Sequence, residues 1–451
     1  MLYVVLRVIA RVALRWYYRS IEVIGRNRVP ATGPVILAAN HNNALVDALI
    51  VASSINRQVR LTAKATLLSH PVTRLVVLAI GIVPLRRRAD EAKGDGSVAT
   101  ARNDEAFRDV VTTLGSGGMI LIFPEGISHS APQLAPLRTG CARMAIQARL
   151  SGVRGVRIVP IGLTFEGKGS PRSRVVMQVG EPLDVDSLVT GAADADAVAL
   201  LTAGLDEGLR SVTLNFPSEA DALQVLDLSH TLGRLFDRLR ELREDDTPLA
   251  GSLRVARRLE EIRRALPAAD AGMTARVEQF LDRLQEFARR VAALELPLND
   301  IWMPTTLASG LWFSVREAML GLVVAPIALW GRLNHWLPLR GALWFGQKTS
   351  VHPDEPAMRT ITIGVIFVLV AYLAVATVIG ATFGVLWGLA YLVSLPLTAS
   401  VDFWFADRIR RAVRRARGYW HFRSTPGLQV ELIGEAAWLR AEASALDLQL
   451  R

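Results

Sequence analysis

Apolar and polar positions recur along this chain in three different registers, and each predicts a different kind of element. From Ile21 to about Asp184, short runs rich in β-branched residues (IEVIG, PVILAAN, QVRLTA, GIVPL, MILIFPEG, VRIVPIGLTF, RVVMQVGEPL) are separated by turns and amphipathic stretches. Strand-length runs alternating with helical periods predict an α/β layer structure over residues 21–185. Residues 186–310 carry almost no strand signal. There LRVARRLEEIRRAL and TARVEQFLDRLQEFARRVAALEL place apolar residues at helical spacing, including Val277, Phe280, Leu281, Leu284, Phe287 and Val291, with Pro267 and Gly272 marking a break. These two stretches predict a helical hairpin, which serves packing or a partner surface rather than chemistry.

The third register is uncharged. No Asp, Glu, Lys or Arg occurs from Ile361 to Ser400. At about 1.5 Å per residue each half of that stretch crosses a hydrocarbon core of about 30 Å, so two spans are expected near 360–379 and 381–399, with a turn around Gly380. Arg359 precedes the hairpin and RIRRAVRRAR follows it from Arg408, which places both flanks on the cytoplasmic side. A further apolar stretch from Met319, MLGLVVAPIALWG, is short and contains Pro326, and is read as re-entrant or interfacial. The membrane region is thus expected to cover 311–425, followed by a tail over 426–451.

Residues 1–20 have the apolar content of a signal peptide, but Arg7, Arg11, Arg15 and Arg19 interrupt it every fourth residue and no small-residue cleavage site follows. The arginines form one stripe and Val4, Val5, Val8, Ile9, Val12 and Trp16 occupy the other faces. This predicts an amphipathic helix in the bilayer interface with its guanidinium groups near lipid phosphates.

Composition narrows the partners. Lys plus Arg number 52 against 42 Asp plus Glu, a net charge of +10, while 51% of residues are hydrophobic. A basic chain this apolar fits anionic lipid and phosphorylated substrates, whereas nucleic-acid binding has no motif behind it. The single cysteine, Cys141, excludes a disulfide framework, and the seven histidines show no metal-ligand spacing, so neither a metal nor a redox cofactor is expected.

Candidate chemistry begins in AANHNNALVDALI. A neutral His41 takes a proton from an alcohol near neutral pH, and Asp47 on its other ring nitrogen would hold the useful tautomer. A loop histidine beside a helix-capping Asp is the plainer alternative for the same residues. Six steps of about 100° leave the two about 120° apart on a regular helix, so a dyad requires His41 to sit in a non-helical turn. Farther on, ILIFPEGISHS carries Glu125 and Gly126 into a turn at a strand end, and APLRTGCARMA places Arg138 before a helix. Arg138 suits bidentate contact with phosphate, and Arg86, Arg87 and Arg88 in GIVPLRRRAD concentrate positive potential.

In this order, NHNNALVD, GIVPLRR, FPEGISH and IVPIGLTF resemble the four blocks of the glycerolipid acyltransferase superfamily, the glycerophosphate and lysophosphatidate acyltransferases. The resemblance covers roughly residues 20 to 185. Five residues separate His41 from Asp47 where most members have four, which is similar to the fungal glycerol-3-phosphate and dihydroxyacetone-phosphate acyltransferase branch. It implies His41 as general base, Asp47 as its orienting partner, and Arg86, Glu125, Gly126 and Arg138 as ligands of the glycerophosphate. Asn43 and Ser128 are further candidates, and Pro160 shapes a wall of the site.

The expected activity is O-acylation of glycerol-3-phosphate or dihydroxyacetone phosphate by acyl-CoA or acylated carrier protein, at the cytoplasmic face of a membrane. Lysophosphatidate or another lysolipid is the alternative acceptor. A serine hydrolase built on Ser128, His129 and Ser130 is the nearest enzymatic rival, but the second glycine of a nucleophile elbow is replaced by Ser130. A membrane-anchored anionic-lipid-binding protein is the non-enzymatic one.

Overall fold

The computed structural model describes residues 2–64, 83–85, 107–129, 131–191, 193–216, 218–237, 249–265, 271–350 and 355–449. The chain forms two compact units, Met1–Pro217 with Phe345–Thr362, and Ser218–Trp344 with Ile363–Arg451.

The first unit is built on a mixed sheet. Its strands are β1 (Ser20–Ile24), β2 (Val35–Ala39), β3 (Val59–Lys64), β4 (Val83–Leu85), β5 (Met119–Ile122), β6 (Arg157–Phe165), β7 (Arg174–Val179) and β8 (Leu183–Asp184). They lie in the order β1-β7-β6-β2-β5-β3-β4, with β8 paired to β6. β2 runs parallel to β5 and to β6, while β6 and β7 are antiparallel. Successive strand side chains point to opposite faces, and both faces are apolar here, so the strands read as continuous hydrophobic runs. Val35, Leu37 and Ala39 face one core layer with Val159, Ile161 and Leu163. Ile36, Ala38 and Ile158 face the other.

Helices α1 (Leu2–Tyr17) and α2 (Ala44–Ser54) cover the first face through Leu14, Val46, Ile50 and Val51, joined by Ala357 and Ile361. The second face is covered by residues 107–115 (α3), by α4 (Gly140–Leu150) and by α5 (Asp194–Val212). Ala197, Leu201, Leu205 and Leu209 of α5 follow helical spacing onto the sheet, so this unit continues past the 185 boundary expected from the strand pattern.

Two arginines of the α1 stripe also bond the protein itself. Arg7 donates to the Ile55 carbonyl and Arg11 Nε donates to the Ser53 carbonyl at 2.9 Å, both at the C-terminal end of α2. Cations there complement the negative end of the helix dipole and satisfy orphan carbonyls. Val4, Val5, Val8, Ile9 and Val12 are left exposed, as are Arg11 and Arg15.

The second unit is helical. Its elements are α6 (Glu219–Asp237), α7 (Leu249–Ala265), α8 (Ala271–Ala293), most of α9 (Leu307–Thr349) and of α10 (Pro356–Phe383), then α11 (Val385–Ser424) and α12 (Pro426–Gln449). Its core contains Val277, Phe280, Leu284, Phe287 and Val291 of α8 together with Leu432, Ala436 and Leu439 of α12. The expected hairpin of 249–265 with 271–293 is therefore replaced: α7 packs chiefly on α6, and α8 on α12. The expected C-terminal tail is α12, whose apolar face completes this core.

Three helices, α9, α10 and α11, are long and apolar enough to cross a membrane. The break between α10 and α11 falls at Gly384, with φ of 100°, rather than at Gly380. A glycine takes that conformation without steric cost, whereas Gly380 lies inside α10 and lets Gly388 approach its backbone. The apolar stretch around Pro326 is part of one continuous helix of 43 residues.

Candidate active site

Two neighbouring parallel strands deliver the site. β2 and β5 pair with Val35 opposite Met119 and Ala38 opposite Ile122, so their C-terminal ends open at the same sheet edge. In open α/β sheets this edge is where ligand-binding loops collect. Asn40 to Asn43 leave β2 and lead into α2, and Phe123 to His129 leave β5.

His41 occupies the non-helical turn that the spacing to Asp47 requires, three residues before α2 begins at Ala44. Its Nδ1 lies 3.0 Å from Asp47 Oδ2. The same oxygen accepts the backbone N–H groups of Asn42 at 2.9 Å and Asn43 at 2.8 Å. Asp47 thus folds back over the helix start and holds both the turn and the imidazole. Ala44 has φ of 46°, a left-handed conformation costly for a residue with a Cβ, at the point where the chain reverses into α2. The imidazole also stacks on Phe123, with centroids 4.0 Å apart and planes 16° from parallel.

The electrostatics are asymmetric. Asp47 is fully buried and its Oδ1 has no hydrogen-bond partner among the described residues. Burial pushes the Asp47 carboxyl above the usual carboxylate range, with the hydrogen bond from His41 pulling the other way. The His41 side chain keeps 16% of its surface exposed. With Nδ1 committed to Asp47, Nε2 is the nitrogen available to a reacting group, and it has no partner among the described residues.

Glu125 was expected to bind substrate, but the structure turns it onto the protein. Its side chain is buried, Oε1 accepts the backbone N–H of His41 at 2.7 Å, and Oε2 accepts the N–H of Ala135 at 2.9 Å and faces Nε2 of His129. The carboxylate therefore clamps three loop segments around His41. Asn43 is likewise redirected. Its amide nitrogen donates to Tyr18 Oη at 3.0 Å and to the Lys168 carbonyl at 3.2 Å, inside the protein. Ser128 Oγ accepts the Ala44 N–H at 3.2 Å, a cap on the start of α2.

Gly126 has φ of 73°, and a Cβ added there would lie 2.8 Å from Cδ of Arg138 and 2.9 Å from its Nε. The turn is glycine because the Arg138 side chain lies across it. Arg138 is exposed, and its backbone N–H donates to the Pro124 carbonyl at 2.8 Å, which anchors it beside the Glu125 turn. The structure thus gathers His41, Asn43, Glu125, Gly126, Ser128 and Arg138 of the β2 and β5 loops with Asp47 of the first turn of α2. Arg86, and Ser130 of the hydrolase alternative, lie outside the described residues. That alternative also loses its base, because the ring nitrogens of His129 face Glu125 and the Ala131 N–H.

Asn40 contributes a role not singled out in the sequence. Its side chain accepts the Leu163 N–H at 2.7 Å and donates to the Leu163 carbonyl at 3.1 Å, extending the pairing of β2 with β6 past the end of the strand. An amide can imitate a backbone step in this way, and its position directly before His41 was the available signal.

Comparison with known proteins adds the family. Residues 20–164 match the family model described as Acyltransferase. Glycerol-3-phosphate O-acyltransferase 2 of Saccharomyces cerevisiae is 35% identical over 134 residues, covering 29% of this chain and 18% of that protein. Glycerol-3-phosphate O-acyltransferase 1 of the same yeast is 25% identical over 305 residues, 49% of this chain and 40% of that one. The chain spans less than half the length of these relatives. Among solved structures, the 1-acyl-sn-glycerophosphate acyltransferase of Thermotoga maritima superposes with a TM-score of 0.33 at 19% identity, covering 46% of this chain and 78% of that one. Over residues 20–164 this chain carries a domain of the Acyltransferase family.

Proposed function

We propose that the chain is a membrane-bound O-acyltransferase that moves a fatty acyl group from an acyl thioester, acyl-CoA or acylated carrier protein, to a hydroxyl of glycerol-3-phosphate. The observation that carries this reading is the His41 Nδ1 to Asp47 Oδ2 contact of 3.0 Å, with Nε2 left for the acceptor. A thioester is already activated, so the enzyme's task is to hold a hydroxyl against the carbonyl and remove its proton. Nε2 of His41 takes that proton as the oxygen attacks. The tetrahedral intermediate then expels the thiolate, which recovers the proton from the imidazolium, so the ester and free thiol leave with charge balanced and no acyl-enzyme formed. Asp47 stabilises the transient imidazolium across the other nitrogen.

Arg138, exposed beside the Gly126 turn, is the proposed phosphate ligand, and Arg86 is proposed as a second. The names of the yeast relatives support glycerol-3-phosphate as acceptor. The uncharged α10–α11 hairpin supports a membrane-integral enzyme, and the arginines after it support a cytoplasmic site.

The test is release of free thiol from acyl-CoA by the full chain, with glycerol-3-phosphate, dihydroxyacetone phosphate, lysophosphatidate or no acceptor. Release that depends on glycerol-3-phosphate and falls by about 10² to 10⁴ in His41→Ala supports the proposal. Release without any acceptor would make the protein a hydrolase. Unchanged turnover in His41→Ala would remove the mechanism.

A further inference from the structure

Length and apolar composition make α9 a third candidate span, yet its contacts with α10 and α11 do not run from one end of their hairpin to the other. The hairpin of α10 and α11 is closed near Gly384, where a Cβ on Gly388 would lie 2.8 Å from the Ala376 carbonyl oxygen and 3.3 Å from Gly380 Cα. From Gly384 the uncharged part of α11 runs to Asp402. At about 1.5 Å per residue that is roughly 27 Å, close to one hydrocarbon thickness.

The close backbone approaches of α9 to this hairpin fall in the half remote from Gly384, and only the side chains of Trp330 and Asn334 reach back to Tyr391. A Cβ on Gly331 would lie 2.3 Å from the Thr398 carbonyl oxygen, one on Gly341 3.3 Å from the Phe367 ring, and one on Gly364 3.5 Å from Ala342 Cβ. Thr398 lies roughly 21 Å along its helix from the turn, Phe367 about 26 Å and Gly364 about 30 Å, by the same rise per residue. Ten or eleven residues of α9 cover about 15 Å along their own axis, while their depth changes by only about 5 to 9 Å. Before Gly331 the helix lies farther still from the turn, since Glu317 pairs with Arg408 at 2.7 Å and Gly310 abuts the Tyr419 ring. A spanning helix would have carried its contacts from one end of the hairpin to the other.

The side chains of the crossing segment are sorted to match. Asn334 accepts the Tyr391 hydroxyl at 2.6 Å, reaching toward the Gly384 turn. Arg332 Nε and His335 Nε2 reach the opposite way, to Asp402 at 3.0 and 3.1 Å. Trp336 follows Arg332 by about one turn, and the Arg340 guanidinium lies 5.6 Å from the centre of the Trp336 ring. Trp330 packs edge-on against Tyr391 at 6.1 Å, on the side toward the turn, and Leu337, about two turns on and so on the same face, is 70% exposed. Arg332 and His335 on one flank, with Trp330 and Leu337 on the other, are what a helix lying at the boundary of hydrocarbon and headgroups requires.

We infer that residues 327–344 of α9 lie crosswise in one leaflet of the bilayer, with Trp330 and Leu337 toward the acyl chains and Arg332 at headgroup level. Only the α10–α11 hairpin crosses. Both ends of α9 then stand on the same face of the membrane, and this conclusion rests on the hairpin itself spanning.

Sidedness measures it. The full chain in sealed vesicles carries one added cysteine at a time, Ala308→Cys, Lys348→Cys, Thr382→Cys or Leu337→Cys, and is treated with a membrane-impermeant maleimide before and after permeabilisation. All four positions are exposed and the native Cys141 is buried, so the background is low. Positions 308 and 348 label from one common face and 382 from the other, while 337 resists the aqueous reagent on both. Labelling of 308 and 348 from opposite faces would overturn the inference and make α9 a span. Rapid aqueous labelling at 337 would also overturn it. Labelling of 382 from the same face as 308 would instead show that the hairpin does not cross.

Discussion

At the scale of the residue, the pairing of His41 with Asp47 was legible because its chemistry needs only two side chains and a turn, and the polar Asn-His-Asn-Asn run between apolar stretches marks that turn. The environment of Asp47 was not legible, because burial on all sides is a property of the packed core. Folding raises the carboxyl's pKa, mainly by desolvation, so the folded chain binds that proton more tightly than the unfolded one. The group therefore favours the fold below the ordinary Asp value of about 3.9, and this contribution is lost as the pH rises through the raised value. Above the raised value the ionised Asp47 is held at a cost in stability. Asp47→Asn keeps an acceptor for the Asn42 and Asn43 N–H groups and removes the buried charge. The expected outcome is an unchanged or higher melting temperature at pH 7, a flatter dependence of melting on pH above 4, and turnover lower by about 10² or more, as expected for a lost general-base partner. Melting curves at several pH values and thiol-release rates on the same preparation check it. A large fall in stability at pH 7 would contradict the account.

At the scale of the element, the alternation of strands and helices read from Ile21 onward matches β1 to β7 because two buried faces demand continuous apolar runs. The partners of a helix are harder to read. α7 and α8 adjoin in sequence yet pack chiefly on α6 and α12, since helical periodicity states which face is apolar and not what will cover it. The loops at the site show the same limit. FPEG announced a functional turn, but whether its carboxylate meets substrate or protein depends on the neighbouring loop from β2. The structure makes Glu125 a clamp between that loop and the one carrying Arg138, with three hydrogen bonds. Glu125→Gln leaves one amide NH₂ facing a donor, either the His41 N–H or the Ala135 N–H. An unsatisfied buried pair of this kind costs about 1 to 3 kcal/mol. A clamp predicts lower kcat and a lower melting temperature with the KM for the phosphorylated acceptor little changed, whereas a substrate ligand predicts a raised KM. Steady-state kinetics with the acceptor varied separate the two.

At the scale of the molecule, the chain joins a sheet domain carrying the His41 turn to a helical unit with a long uncharged hairpin. Charge distribution gives that union a direction, since the arginines of 408–417 follow the hairpin at once and an excess of +10 resides in the whole chain. The acyl products and many acyl donors of the proposed reaction partition into bilayers, so a site tethered at the membrane meets its reactants at high local concentration. Two kinds of tether are physically distinct. A chain held by charge alone is released when salt screens it or when high pH weakens basic contacts, because the Debye length falls to about 3 Å at 1 M salt. A hairpin of about forty uncharged residues instead buries its backbone in hydrocarbon, where each group must stay internally bonded, and leaves only when the bilayer is dissolved. The full chain is therefore expected to remain with membranes through washes in 1 M salt and alkaline carbonate, and to be extracted by detergent. Replacing Val375 and Val393, both exposed on the hairpin arms, by Asp should release it to the carbonate supernatant, since an acidic residue near mid-bilayer costs about 2.5 to 3.5 kcal/mol on insertion scales. Recovery of the unaltered chain in the carbonate supernatant would show instead that surface charge and the α1 helix suffice, and that α10 and α11 pack against protein rather than lipid.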